Sequence, residues 1–181
     1  MLLILQGGSY YTYAQSAKLR NISELQVSYQ SSAIAHQIPL EYIHSFGKHG
    51  IIVGLRYLII KGGYSTVDDP PSVTGFSLGY QYLFDTDPYK VLRPFVSYRF
   101  LYNPSLIIRT LSPSTSYTPQ QQTITAGIKL RHNSGLYSFM GVGVLHTLYI
   151  VTTGAAPGDR SKFTYSLQVG IGYAYRCGKH K

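Results

Sequence analysis

The stretch "KFTYSLQVGIGYAYR", Lys162 to Arg176, places a large apolar residue at every second position: Phe163, Tyr165, Leu167, Val169, Ile171, Tyr173 and Tyr175. Between them stand Thr164, Ser166, Gln168, Gly170, Gly172 and Ala174. Strict alternation over this length is the period of a β-strand with two unlike faces. The small face carries almost no charge, whereas a sheet that shows one face to water normally covers it with charged side chains. Which face meets solvent, and which solvent, decides the fold.

The pattern recurs along the chain. Strands are expected over 22–31 (Leu25, Val27, Tyr29 on one face), 37–46 (Leu40, Tyr42, Phe46), 51–60 (Val53, Leu55, Tyr57, Ile59) and 74–84 (Phe76, Leu78, Tyr80, Tyr82, Phe84). They continue over 92–102 (Val96, Tyr98, Phe100, Tyr102), 123–131 (Ile124, Ala126, Ile128, Leu130), 136–149 and 162–176. The segment 136–149 is apolar on both faces, so its phase stays open. With no segment of period 3.6, the reading is all-β, eight strands.

"GKHG" (47–50), "DTDPYKV" (85–91) and "HNSG" (132–135) are short, turn-rich links. "KGGYSTVDDPPSV" (61–73), "NPSLIIRTLSPSTSYTPQQQ" (103–122) and "VTTGAAPGDRSK" (151–162) are long and rich in Pro, Ser, Thr and Gly. Short links fall on one side and long loops on the other, the asymmetry of an up-and-down barrel in an outer membrane.

The charges within these strands settle the orientation. Glu24, Glu41, Arg56, Arg93, Arg99, Lys129, Arg131 and Arg176 all share the parity of the small face. A soluble eight-stranded barrel turns its apolar face inward, and this small face would make a poor water-exposed exterior. The inverse assignment, with Tyr, Phe, Leu and Val toward lipid and the charges in a narrow lumen, satisfies every backbone amide through closure. Tyr82, Tyr102, Tyr173 and Tyr175 then supply the interfacial girdle. A two-residue turn centred on Lys48 and His49 sets Glu41 directly across from Arg56 inside that lumen.

Composition agrees. Charged residues are 13% of the 181, Tyr and Gly each occur 18 times, and Trp is absent. No apolar run reaches the roughly 18 residues of a transmembrane helix. The single Cys177 excludes an internal disulfide and a cysteine-based metal site. Residues 1–21 read as a truncated export signal, with Ala14-Gln15-Ser16-Ala17 suited to cleavage, or as a disordered leader. The barrel is expected over 22–176 and a basic tail over 177–181.

"IPLEYIHSFGKHGIIVGLRY" (38–57), "GFSLGYQYLF" (75–84), "LRPFVSYRF" (92–100) and "YSLQVGIGYAYR" (165–176) resemble the Bacteroidetes-type small outer-membrane β-barrel family. The resemblance covers most of the chain after residue 22 as a pattern rather than as a unique motif. It implies an integral outer-membrane location in a Gram-negative bacterium, insertion by the barrel-assembly machinery and, often, no assigned activity. The chain departs from the wider class at its end, where "RCGKHK" follows Tyr175 instead of a terminal aromatic residue.

Candidate chemistry is sparse. His132 and Ser134 in "RHNSG" share the H-x-S spacing of outer-membrane lipid A deacylases, although Asn-Ser-Gly is also good turn chemistry. His44 and His146 sit singly in strands without a second ligand at metal-binding spacing. Asp68, Asp69, Asp85 and Asp87 beside prolines lack the ligand count of a calcium site. The excess of 16 Lys and Arg over 7 Asp and Glu has no basic run or recognition helix, which excludes a nucleic-acid partner. The excess reads either as a solvated rim, with Lys18, Arg20, Lys179 and Lys181 near the periplasmic end, or as anchors for lipid phosphates, with Lys61, Arg109, Arg160 and Lys162 as candidates on the external side. Leu106, Ile107 and Ile108 form an apolar patch within a loop, a candidate contact surface.

The expected function is therefore a non-enzymatic structural or interaction barrel that contacts its surroundings through external loops. Its expected partners are outer-membrane lipids, lipopolysaccharide and other envelope proteins, with no cofactor. The alternatives are a narrow channel or subunit of an envelope complex, a lipid A-modifying enzyme, and a soluble lipocalin-like binding barrel.

Overall fold

A computed structural model describes residues 21–32, 35–60, 72–85, 90–103, 108–111, 114–132, 135–153 and 161–176. Within them lie nine strands: β1 (Asn21–Ser32), β2 (Ala35–Phe46), β3 (His49–Ile60), β4 (Ser72–Leu83), β5 (Leu92–Tyr102), β6 (Ile108–Leu111), β7 (Ser114–Arg131), β8 (Leu136–Thr153) and β9 (Ser161–Arg176). Every pairing is antiparallel between sequence neighbours, except that β7 joins β5 and β9 returns to β1. Those two pairings close eight strands into a barrel, with β6 riding on the end of β7. Closure leaves the wall without a free edge.

Both chain ends of the barrel and the turns β2–β3, β4–β5 and β7–β8 lie at one end, here the short-turn end. The connections β1–β2, β3–β4, β5–β7 and β8–β9 lie at the other, the long-loop end. One of these is brief, since only residues 33–34 separate β1 from β2.

The expectation of loop over the whole of 103–122 is corrected. β7 begins at Ser114, and β6 continues the β5 side of it, with Ile108 opposite Tyr117 and Leu111 opposite Ser114. The alternating Ser, Thr and Tyr of this stretch suit a strand, and backbone pairing on both sides supplies its hydrogen bonds. β7 and β8, 18 residues each, therefore project past β5, whose last partner is Gln120.

The register of the β2–β3 hairpin is also corrected. Phe46 pairs with His49, so Gly47 and Lys48 form the turn, and Glu41 faces Gly54 while Arg56 faces Pro39. Gly47 takes the left-handed conformation, with φ 67°, that a two-residue hairpin loop demands and that Gly adopts at little cost. The slip of two residues preserves face parity, so it changes partners without changing sides.

The phase of β8 follows from burial: Met140, Val142, Val144 and Leu148 point outward, while Tyr137, Phe139 and Leu145 are buried inside. The lumen is thus less uniformly polar than the alternation implied. Leu83, Phe95, Tyr137 and Phe139 form an apolar cluster near the short-turn end, and Leu58, Leu101 and Leu145 are buried farther along. Glycines on facing strands make room for these rings. A Cβ on Gly170 would lie 2.6 Å from Phe139 Cζ, and one on Gly127 would lie 2.8 Å from Phe95 Cζ.

Gly170→Ala should therefore destabilise the detergent-folded barrel by about 1–3 kcal/mol through overpacking. Lys48→Ala in the exposed turn should stay within about 0.5 kcal/mol. Urea titration of both proteins checks this, and an unchanged midpoint for Gly170→Ala would mean that Phe139 does not fill the lumen.

Candidate functional site

Inward parity on seven strands brings six ionisable side chains and their amide partners together in the buried lumen. Near the short-turn end, Glu24 of β1 accepts from Lys129 Nζ of β7 and, at 3.0 Å, from the Tyr137 hydroxyl of β8. The Lys129 ammonium also sits 4.9 Å from the Tyr137 ring centroid, within cation–π range. The same Tyr137 hydroxyl lies 3.1 Å from Gln26 Oε1. Gln26 in turn donates to Glu41 Oε2 at 2.7 Å, which links the first carboxylate to the second.

Glu41 is the hub of the middle layer. Arg99 Nε and Nη2 donate to its two oxygens at 2.8 and 3.1 Å, a bidentate fork, and Ser77 donates at 3.3 Å. Arg99 Nη1 donates to Ser97 Oγ at 2.6 Å. Both charged side chains are almost fully buried, at 1% and 2% exposed. Such a pair is strong in geometry but gives a small net gain, because desolvation offsets the attraction.

Arg56 occupies the layer toward the long loops with neutral partners. Its Nε donates to Asn103 Oδ1 at 3.0 Å, Nη1 to Gln37 Oε1 at 3.1 Å and Nη2 to Gln121 Oε1 at 2.8 Å. Gln121 passes the chain on to Thr147 Oγ1 at 3.4 Å. The network joins strands that are not neighbours, such as β2 to β5 through Glu41 and Arg99, and so braces the barrel from within.

Of the eight charges read from the sequence, Glu24, Glu41, Arg56, Arg93, Arg99 and Lys129 are buried in the lumen. Arg131 is half-buried at its rim, and the side chain of Arg176 lies outside the description. The Glu41–Arg56 pairing is replaced by Glu41–Arg99, for the register reason given above. Gln26, Gln37, Asn103, Gln121 and Tyr137 are the partners that sequence reasoning missed. Glutamine at inward parity in β1, β2, β4, β7 and β9 was the available signal.

The remaining candidates scatter. Leu106, Ile107, Lys61, Arg160, Ser134, Asp68, Asp69 and Asp87 lie outside the described residues; Ile108 and Arg109 belong to β6. Lys162 is exposed near the start of β9. His132 Nε2 lies 3.1 Å from Ser138 Oγ on the exposed rim. His44 lies 3.1 Å from Ser23 on the outer wall, and His146 stacks on Phe163 with centroids 4.4 Å apart. Asp85 pairs with Lys90. Among the described residues, no carboxylate orients these imidazoles, and no group of three metal-ligating side chains comes together.

No protein-family model matches the chain, and no curated protein does. Among solved structures it is similar to the crystal structure of Neisserial surface protein A, with a TM-score of 0.51, 12% identity, and coverage of 88% of this chain and 97% of that one. At that identity the likeness concerns the fold, and both chains are closed, all-antiparallel eight-stranded barrels.

A double-mutant cycle separates the two possible partners of Glu41. Glu41→Gln leaves Arg99 buried without a counter-charge and should cost about 3–5 kcal/mol. The coupling energy with Arg99→Gln should exceed about 1 kcal/mol and surpass that with Arg56→Gln. Thermal unfolding in detergent reads all the variants; a larger coupling to Arg56 would restore the sequence-derived register.

Proposed function

We propose that the chain is an integral outer-membrane β-barrel of a Gram-negative bacterium, acting as a non-enzymatic structural or interaction protein. The observation that carries this reading is its outer wall. By strand parity, no outward position of the eight strands that close the barrel holds Asp, Glu, Lys or Arg. Large apolar side chains stand exposed there on every barrel strand, up to 72% for Phe163 and 87% for Tyr165. An apolar belt of this extent has no place on a water-soluble monomer, whereas hydrocarbon is its natural solvent. Tyr82, Tyr173 and Tyr175 at the short-turn end, and Tyr29, Tyr57 and Tyr102 toward the other, suit two interfacial girdles.

The long-loop end faces the cell exterior in this reading and forms the contact surface. Support comes from the projecting hairpin of β6 and β7 with the end of β8, in which Ile108 and Arg109 lie. Arg109 and exposed Lys162, together with Lys61 and Arg160 outside the described residues, suit the phosphates of lipopolysaccharide, and Leu106 to Ile108 suit an apolar partner. The strand–turn–strand pattern of 38–57 favours the Bacteroidetes-type family as its home. The apolar and ionic filling of the lumen favours a closed barrel over a channel, as eight strands leave an interior just wide enough for side chains.

The protein should remain with outer-membrane fractions after alkaline washing and should give no stable unitary conductance in planar bilayers. A reproducible conductance would replace the closed reading with the channel. Cross-linking in native membranes should recover less partner when Ile107 and Ile108 are changed to Ser; undiminished recovery would move the contact elsewhere.

A further inference from the structure

The short-turn mouth of the barrel carries an imbalance that the network above does not resolve. Arg93 stands directly opposite Lys129 in the β5–β7 register, which brings two cationic side chains to a Cβ separation of about 5 Å. Arg131 follows two residues along the same face of β7. These three cations and Glu24 line one cavity with Tyr137, Ile22, Gly135, Ala174 and Tyr175. Three positive charges against one carboxylate leave a net +2 there. Glu24 is already engaged by Lys129.

Among the described residues, the two arginines share their one nearby carboxylate, Glu24, with Lys129. Arg93 is 6% exposed, yet the only hydrogen bonds of its guanidinium among the described residues are two at 3.4 Å to the carbonyl of Asp85. That length is beyond the usual range for an N–H donor to oxygen. Neither Arg93 nor Arg131 forms an ion pair among the described residues. Opposed like charges in a sheet are destabilising, and a buried guanidinium without strong acceptors is more so. Among the described residues, the mouth offers Arg93 and Arg131 no ion-paired acceptor.

We propose that this mouth binds a phosphate-type oxyanion, held by Arg93 and Arg131 with Lys129 behind them. The residual +2 matches a phosphate dianion, and the guanidinium forks match its oxygens. The cavity of about 30 Å³ has room for roughly two water-sized groups, so phosphate oxygens enter it while the rest of the ligand stays outside. This goes beyond the proposed function, because the site lies at the end opposite the external loops. The phosphate comes either from a soluble ester or from the headgroup of a neighbouring lipid.

The test titrates the detergent-folded barrel with inorganic phosphate at an ionic strength held constant with sodium chloride. The thermal midpoint should rise saturably, and the ³¹P resonance should broaden. Arg93→Gln and Arg131→Gln should each weaken binding at least tenfold, while Lys48→Gln, an exposed charge at the same end, should leave it intact. If Arg93→Gln does not fold, the half-exposed Arg131→Gln carries the comparison. Phosphate no more effective than chloride, or equal weakening by Lys48→Gln, would overturn the site. In phosphatidylcholine vesicles, adding phosphatidylglycerol should abolish the phosphate response if headgroups fill the mouth, and should leave it unchanged if the source is soluble.

Discussion

Glu41 holds the inside of this barrel together. Its two oxygens accept from Arg99, Gln26 and Ser77, on β5, β1 and β4, while its own backbone belongs to β2. Around it, a lumen rich in basic groups becomes tolerable, because the most central arginine meets a full charge in bidentate geometry. Glu24 performs the same service for Lys129 nearer the short-turn end. Between the two carboxylates the bridge is Gln26, whose amide donates to one while its carbonyl accepts the hydroxyl that also serves the other. Buried polar networks of this kind are useful only when their members are satisfied, and here the two acids are.

The outer wall depends on that arrangement. Inward parity for the charges of the eight strands that close the barrel leaves an exterior of Tyr, Phe, Leu, Val and Ile, and closure through β1–β9 and β5–β7 removes the polar edges. Inward glycines serve the same end, since Gly127 and Gly170 let Phe95 and Phe139 enter the lumen. The aromatic cluster then seals a region where small polar residues alone would leave space.

Much of this was legible because a strand reveals its faces through a period of two, which survives even when the partners are misjudged. The sides of Glu24, Glu41, Arg56, Arg93, Arg99 and Lys129 followed from parity alone. The identity of Arg99 as partner of Glu41 did not, because it depends on three strand registers and on which residues of "GKHG" make the turn. Gly47, rather than His49, absorbs the unusual backbone angle, and that preference was open to the competing Gly50. The apolar lumen residues Ile52, Leu58, Phe139 and Leu145 were hidden in segments hydrophobic on both faces. The extension of β7 to Ser114 was masked by Ser, Thr and Pro, which read as loop until backbone pairing with β6 and β8 is seen.

The absence of tryptophan makes the face assignment directly measurable. A single Trp can be placed outward by Val142→Trp, at a site 64% exposed, or inward by Phe139→Trp, at a site 4% exposed. Each variant is refolded into vesicles whose acyl chains carry bromine, and its fluorescence is compared with that in unbrominated lipid. Bromine should quench the outward tryptophan strongly and the inward one weakly, with aqueous iodide quenching neither well. Strong iodide quenching at position 142 without bromine quenching would contradict the inside-out barrel.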